Sequence, residues 1–207
     1  MLNNFNLEKK VNQNFAKIRL GLLFIPCLIL IIIVFLLNDQ DALTIGGYVS
    51  FQKDLFFNLN GQLSKFPNLQ FNLTQLGDAL IIFPLLTIFI VYAPNLWGVL
   101  ISSAIVSVVV SFLLKSVFAV PRPAAMFDQE NFVIIGETLT GSTSLPSGHS
   151  ITTFTVIALI LFAFMPKVMK SKIIWSIFIL MLGLVIAFSR VGVGAHYPLD
   201  VLIGSIL

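Results

Sequence analysis

Between Leu20 and Leu37 the chain runs for eighteen residues without one charged side chain, enough helix to cross the hydrocarbon core of a bilayer. A run of that kind rules out a soluble fold unless it is removed. It is longer than the core of a signal peptide, and the sequence after it, NDQDAL, offers no small-residue cleavage site. A retained first span is therefore expected. The rest of the chain agrees: 57% of its 207 residues are hydrophobic, only 10% are charged, and the mean hydropathy is +1.00, far outside the range of soluble domains.

Further apolar runs follow at Ala79 to Tyr92, Leu96 to Phe118, His149 to Met165 and Ile173 to Phe188, and a sixth begins at Asp200 and reaches Leu207. The break Ala93, Pro94, Asn95 is so short that the runs on either side are expected to be antiparallel neighbours. The predicted fold is all-α, a polytopic transmembrane helix bundle of six spans with the sixth incomplete, forming a single integral membrane domain over residues 1–207. The longest polar interruption, Asn38 to Asp78, spaces Phe51, Leu55, Phe56, Leu59 and Leu63 at helical intervals, which predicts a helix lying in the membrane interface or, equally, packed against the bundle. Asn72, Leu73 and Thr74 match a glycosylation sequon, a common tripeptide that carries little weight. The one cysteine, Cys27, allows no internal disulfide and no cysteine metal cluster, and is expected to be a packing residue.

The net charge of +3 and the isoelectric point near 9.1 do not point to nucleic acid, because the basic residues stand at the ends of apolar runs and not along one face. They read as topology signals. Seven, Lys9, Lys10, Lys17, Arg19, Lys167, Lys170 and Lys172, fall on the side of the N-terminus, and five fall opposite. The positive-inside rule then places the N-terminus in the cytoplasm. The polar segment Ala119 to Leu145 and the turn after the fifth run come together on the other face, toward the periplasm or exterior if the membrane is a bacterial inner membrane.

Three separated stretches meet on that face: Lys115 with Arg122 and Pro123; Pro146, Ser147, Gly148 and His149; and Ser189, Arg190, His196 and Asp200. Each residue alone has an ordinary explanation. Lys115 and Arg190 read as snorkelling anchors, Asp200 as a helix cap, and the Pro-Ser-Gly-His turn as a helix start. Random anchors would not bring both histidines of the chain to the same face as three cations. Guanidinium groups bind phosphoryl oxygens in pairs, a lysine adds a point charge, and amides at a helix N-terminus attract the same anion. Phosphate binding thus accounts for Lys115, Arg122, Ser147, Gly148 and Arg190. The two histidines are left for chemistry. Asp200 is placed to orient His196 as a nucleophile, and His149 as a general acid can protonate the leaving alkoxide. A zinc site at the histidines and Asp200 is the rival, disfavoured by three cations at the same place.

Lys115, six residues, Arg122, Pro123; then Pro146, Ser147, Gly148, His149; then Ser189, Arg190, five residues, His196, three residues, Asp200: these three motifs resemble the complete signature of the type 2 phosphatidic acid phosphatase family. No signature position departs from it. The resemblance covers residues 115–200, and the first hundred residues only fit the family's topology. It implies six transmembrane helices, no cofactor or metal ion, a lipid phosphate or pyrophosphate substrate at the surface of the lipid bilayer, His196 as nucleophile with Asp200 as its partner, His149 as acid, and Lys115, Arg122, Ser147, Gly148 and Arg190 as phosphate ligands. A lipid phosphotransferase using the same histidine is the alternative within enzymology. A phospholipid-binding or transport protein is the alternative outside it, although binding alone does not need an oriented histidine. Specificity is expected in Asn38 to Asp78 and Ala119 to Leu145, since loops vary over a fixed scaffold.

Overall fold

The computed structural model describes residues 2–92 and 97–207, and these form helices joined by turns, with no strand among them. Among the described residues the α-helices are α1 (Leu2–Phe15), α2 (Phe24–Asp39), α3 (Ile45–Leu63), α4 (Pro67–Gln75), α5 (Ala79–Tyr92), α6 (Trp97–Phe118), α7 (Pro123–Met126), α8 (Gly148–Ala163), α9 (Met169–Gly192) and α10 (Pro198–Ile206). Among the described residues three segments are long and apolar enough to cross a membrane: Leu20–Asp39, Trp97–Met126 and Met169–Gly192. α8 is apolar but shorter. The all-α membrane bundle is as expected, while six spans stay an expectation of the sequence. The break at Ala93 to Asn95 lies outside the described residues.

α8 and α9 form the centre. They are joined by a short link and run antiparallel, with α10, α6 and α1 against α8, and α4, α3 and α10 against α9. Their close approach depends on small residues. A Cβ on Gly183 of α9 would lie 2.9 Å from Cγ1 of Ile157 on α8, and one on Gly204 of α10 would lie 2.7 Å from the carbonyl oxygen of Ser147. The leader, read from sequence only as a basic flank, is helical as α1 and docks on the far end of α8, where the Asn14 amide donates to the carbonyls of Ala163 and Met165 at 3.2 and 3.4 Å.

At the other end of the bundle the segment Asn38 to Asp78 folds back over the α8–α9 pair as two helices, α3 and α4. A helix was expected at α3, and of the residues that space it Phe56 is buried and Leu59 and Leu63 pack against the core. Phe51 and Leu55 are exposed, and the buried stripe is Tyr48, Gln52, Phe56 and Asn60. A bilayer reverses the usual reading of periodicity: apolar side chains are at ease outside, and polar ones go where backbone groups need partners. Asn60 shows this, donating to the carbonyls of Val133 and Val191 at 2.9 and 3.0 Å while its own oxygen accepts from the amide of Val133 at 2.8 Å. Phe56 fills the space between, its ring centroid 5.2 Å from Phe132 and 5.6 Å from Tyr197.

Two further expectations are corrected. Cys27 is exposed on α2, whose helix turns nearly its whole surface outward, and is not a core residue. The fifth apolar run does not stop at Phe188. α9 continues to Gly192, so Ser189 and Arg190 sit in its last turn and the glycine-bearing turn starts only at Val193.

Replacing Gly204 with Ala is expected to push α10 off the Ser147 turn, at a cost of about 1–3 kcal/mol. Gly61→Ala, with nothing within 4 Å of the new Cβ, is expected to be neutral or slightly stabilising. Melting temperatures of the two variants in the same detergent check this.

Candidate active site

The site is assembled where three helix ends meet: the C-terminal ends of α6 and α9 and the N-terminal end of α8. Lys115 lies in the last turn of α6. Four residues beyond the end of that helix the backbone amide of Arg122 donates to the carbonyl of Gly141 at 3.1 Å, which ties the two ends of the polar segment 122–141 together. Ser147 is the N-cap of α8, with its hydroxyl accepting from the amide of Ser150 at 3.4 Å. A Cβ on Gly148 would stand 3.4 Å from Nζ of Lys115, so the ammonium lies directly beside the open N-terminus of α8. Here the missing side chain is what lets a cation and a helix end share one space.

Arg190 is 8% exposed in the last turn of α9. One of its terminal nitrogens donates to the hydroxyl of Thr74 on α4 at 2.8 Å, and its Nε is buried with no partner. A buried guanidinium donor without a partner is costly, and an anionic oxygen would satisfy it. His149, the second residue of α8, is half-buried with Nε2 4.0 Å from a carboxylate oxygen of Asp78.

His196 occupies the turn between α9 and α10 and is 1% exposed. Its Nε2 is 3.4 Å from a guanidinium nitrogen of Arg122, which also donates to the carbonyl of Ala195 at 3.3 Å. Its Nδ1 faces the Oδ2 of Asp200 at 3.6 Å, within ion-pair range but longer than a hydrogen bond, and meets the hydroxyl of Ser144 in a long hydrogen bond of 3.5 Å. Burial, and after it the charges of Arg122, Arg190 and Lys115, hold His196 well below the usual imidazole range. The ring is therefore neutral near physiological pH, and the lone pair on Nε2 is the one that faces Arg122.

Asp200, fully buried, is the most heavily bonded side chain here. Its Oδ1 accepts from the hydroxyl of Tyr48 at 2.7 Å, and its Oδ2 from the hydroxyl of Ser144 at 2.5 Å and the amide of Tyr197 at 2.9 Å. The last of these caps α10, so the plain reading of Asp200 as a cap and its reading as a histidine partner both hold in the geometry. Burial keeps the Tyr48 hydroxyl protonated, its pKa raised well above the usual phenol value, so it acts as a donor.

All eight residues singled out from sequence lie at this junction: Lys115, Arg122, Ser147, Gly148, His149, Arg190, His196 and Asp200. The charges of Lys115, Arg122 and Arg190 are all near enough to act on His196. Among the described residues no three histidine, cysteine, aspartate or glutamate side chains group as metal ligands. Ser189 turns away, its hydroxyl donating back to the carbonyl of Ile186 at 2.6 Å. The sequence reading missed Tyr48, Thr74, Asp78 and Ser144. A usable signal existed for the first two: Tyr48 and Gln52 on α3, and Gln70 and Thr74 on α4, are polar pairs four residues apart, each a buried strip on its helix.

Residues 95–207, more than half of the chain and all three signature stretches, match the family profile described as the PAP2 superfamily. The chain belongs to the PAP2 superfamily. Its spans and its family together make it an integral membrane protein. Among curated proteins it is 27% identical over 183 residues to the undecaprenyl-diphosphatase of Sulfolobus acidocaldarius, covering 86% of this chain and 84% of that one. Among solved structures it resembles the crystal structure of LpxE from Aquifex aeolicus, with a TM-score of 0.60 and 25% identity, over 75% of this chain and 88% of that one. The family match starts after α5, so α3 and α4, which hold Tyr48 and Thr74, lie outside it.

The depressed pKa of His196 has a definite sign. The unfolded chain binds a proton there near pH 6.5 and the folded chain does not, so the stability from this group is full above about pH 6.5 and declines below it, by up to about 1.4 kcal/mol per pH unit. As the pH falls below about 6.5 the wild type is expected to lose stability more steeply than His196→Asn. Denaturation followed at several pH values checks it, and parallel decline of the two proteins would show that the fold does not keep His196 neutral.

Proposed function

We propose that this PAP2 superfamily protein is a membrane lipid phosphatase that hydrolyses phosphate monoesters or diphosphates of lipids through a phosphohistidine at His196. The observation that carries the reading is a neutral, buried imidazole with Arg122 against its Nε2, next to a buried Arg190 whose Nε has no partner. That pairing suits a nucleophile facing a bound anion. The names of the undecaprenyl-diphosphatase and LpxE relatives support the same chemistry. An apolar crevice of about 290 Å³ between α2, α6 and α10, bordered by Ile33, Tyr48, Leu114 and Leu145, lies against the site and suits a hydrocarbon chain.

In the proposed reaction Lys115, Arg122, Arg190, the Ser147 hydroxyl and the amides around Gly148 hold the phosphoryl oxygens. The Nε2 lone pair of His196 attacks phosphorus, the bond from phosphorus to the lipid-side oxygen breaks, and His149 gives that oxygen its proton. Asp200 faces Nδ1 and stabilises the charge that develops on the ring. Water then attacks phosphorus, His149 takes a proton from it, and the N–P bond breaks to release phosphate and restore His196. The charge is met by protein cations throughout, so the proposed reaction runs without a metal ion.

The N-terminus is assigned to the cytoplasm and the site to the opposite, outer face of a bacterial inner membrane. Support comes from Lys17, Lys167 and Lys172, which line one cavity of about 460 Å³ at the far end of α8 and α9 from the site.

Purified protein assayed with EDTA present should release phosphate from at least one of undecaprenyl diphosphate, phosphatidic acid, phosphatidylglycerol phosphate and lipid A. His196→Ala should lower the rate by at least about 10⁴-fold. Near-normal release by that variant would refute the histidine mechanism. Loss of release with EDTA would restore the metal site, and release only into a second lipid acceptor would make the enzyme a phosphotransferase.

A further inference from the structure

We propose that Tyr48, on a helix outside the family match, is a positioning residue that fixes the rotation of the Asp200 carboxylate so that one oxygen faces His196. The inference rests on the phosphohistidine reading above.

The argument starts from the two carboxylate oxygens. Oδ2 is the one turned to Nδ1 of His196, and it also takes the Ser144 hydroxyl and the Tyr197 amide. Oδ1 has a single donor, the Tyr48 hydroxyl at 2.7 Å. A carboxylate on a short side chain turns about its last torsion with little resistance. With Oδ1 free, the group could rotate and share its Oδ2 donors between both oxygens. A donor held rigidly on the opposite side removes that freedom.

Tyr48 is held rigidly. It is 4% exposed on the inner stripe of α3. One turn on, the Gln52 amide donates to the Tyr48 carbonyl at 3.1 Å, and its oxygen accepts from the amide of Leu199 at 3.0 Å, so α3 is tied to the first turn of α10 that also carries Asp200. Another turn on, Phe56 packs edge-on against Tyr197. Three successive inward residues of α3 thus grip the segment 197–200. A clamp meant only for packing would not need the hydroxyl, since Phe would fill the same space.

Other groups face Asp200 as well, and they limit what the Tyr48 hydroxyl alone can do. Arg122 and Lys115 act on it through charge, His196 stands on the turn, Ser144 on the polar segment, and the Tyr197 hydroxyl lies near by. Tyr48 differs from these in being the only one with a hydrogen bond to Oδ1 among the described residues.

The test is Tyr48→Phe, which deletes one oxygen, assayed with the lipid phosphate that the wild type hydrolyses. One hydrogen bond to a buried charge corresponds to a kcat lower by roughly 10- to 100-fold, with KM within about 2-fold of wild type. A carboxylate that has lost a donor takes up a proton more readily, so the acid limb of the kcat/KM profile should move to higher pH and the deficit should narrow as pH rises. In an Asp200→Asn background the same change should cost little more, because Tyr48 acts through that carboxylate. An unchanged kcat in Tyr48→Phe, a deficit equal at every pH, or the same fold-loss in the Asp200→Asn background would each overturn the positioning role while leaving the phosphatase intact. A wild type that releases no phosphate from any lipid would overturn the underlying reading and this inference with it.

Discussion

A buried carboxylate with three donors of its own holds the working end of this protein together. Asp200 takes a hydroxyl from α3, a hydroxyl from the polar segment before α8 and an amide from its own helix start, and its backbone carbonyl accepts from the amide of Ser147 at 3.0 Å. Three stretches of the chain that are remote in sequence, α3, residues 144–147 and the start of α10, are thereby fixed against one another. An ionised group so deep is tolerated only when its lone pairs are satisfied, and leaving it unpaired would cost several kcal/mol. The requirement to satisfy Asp200 therefore dictates where Tyr48, Ser144 and the Pro-Ser-Gly-His turn must go. His196, in the turn just before it, inherits its position.

The electrostatics of the site follow from the same arrangement. Three cations are delivered by helix ends: Lys115 from α6, Arg122 just past it, and Arg190 from the last turn of α9. Cations near the carbonyl ends of helices sit in a favourable field, and the amides at the start of α8 face them across the same space. Together they repel a proton from His196 and leave room for an anion. Neutral nucleophile and cationic cradle are two effects of one placement of charge.

The core of the site was legible because its chemistry is sparse. In a chain with 10% charged residues, three cations, two histidines and one aspartate at the edges of apolar runs are conspicuous, and their spacing fixes which helix ends must meet. The segment from Asn38 to Asp78 was not legible in the same way. Its apolar spacing grouped Phe51 and Leu55 with Phe56, yet lipid can accept the first two, and the inward stripe is Tyr48, Gln52, Phe56 and Asn60. Hydrophobic periodicity marks the buried face only when the outside is water. Likewise the end of the fifth apolar run at Phe188 was a change in polarity, not in backbone, and α9 continues as a helix through Arg190 to Gly192. Ser144 and Asp78 gave no pattern at all, since a single polar residue in a polar segment carries no periodicity.

The central claim is that His196 becomes covalently bound to phosphate. Rapid quenching of the protein with a lipid substrate carrying a radiolabelled terminal phosphate tests it most directly. The account predicts label on the protein that survives alkali, is lost in acid, and is absent from His196→Ala. Phosphate release by the wild type with no such protein-bound label, or with label that persists in His196→Ala, would contradict it.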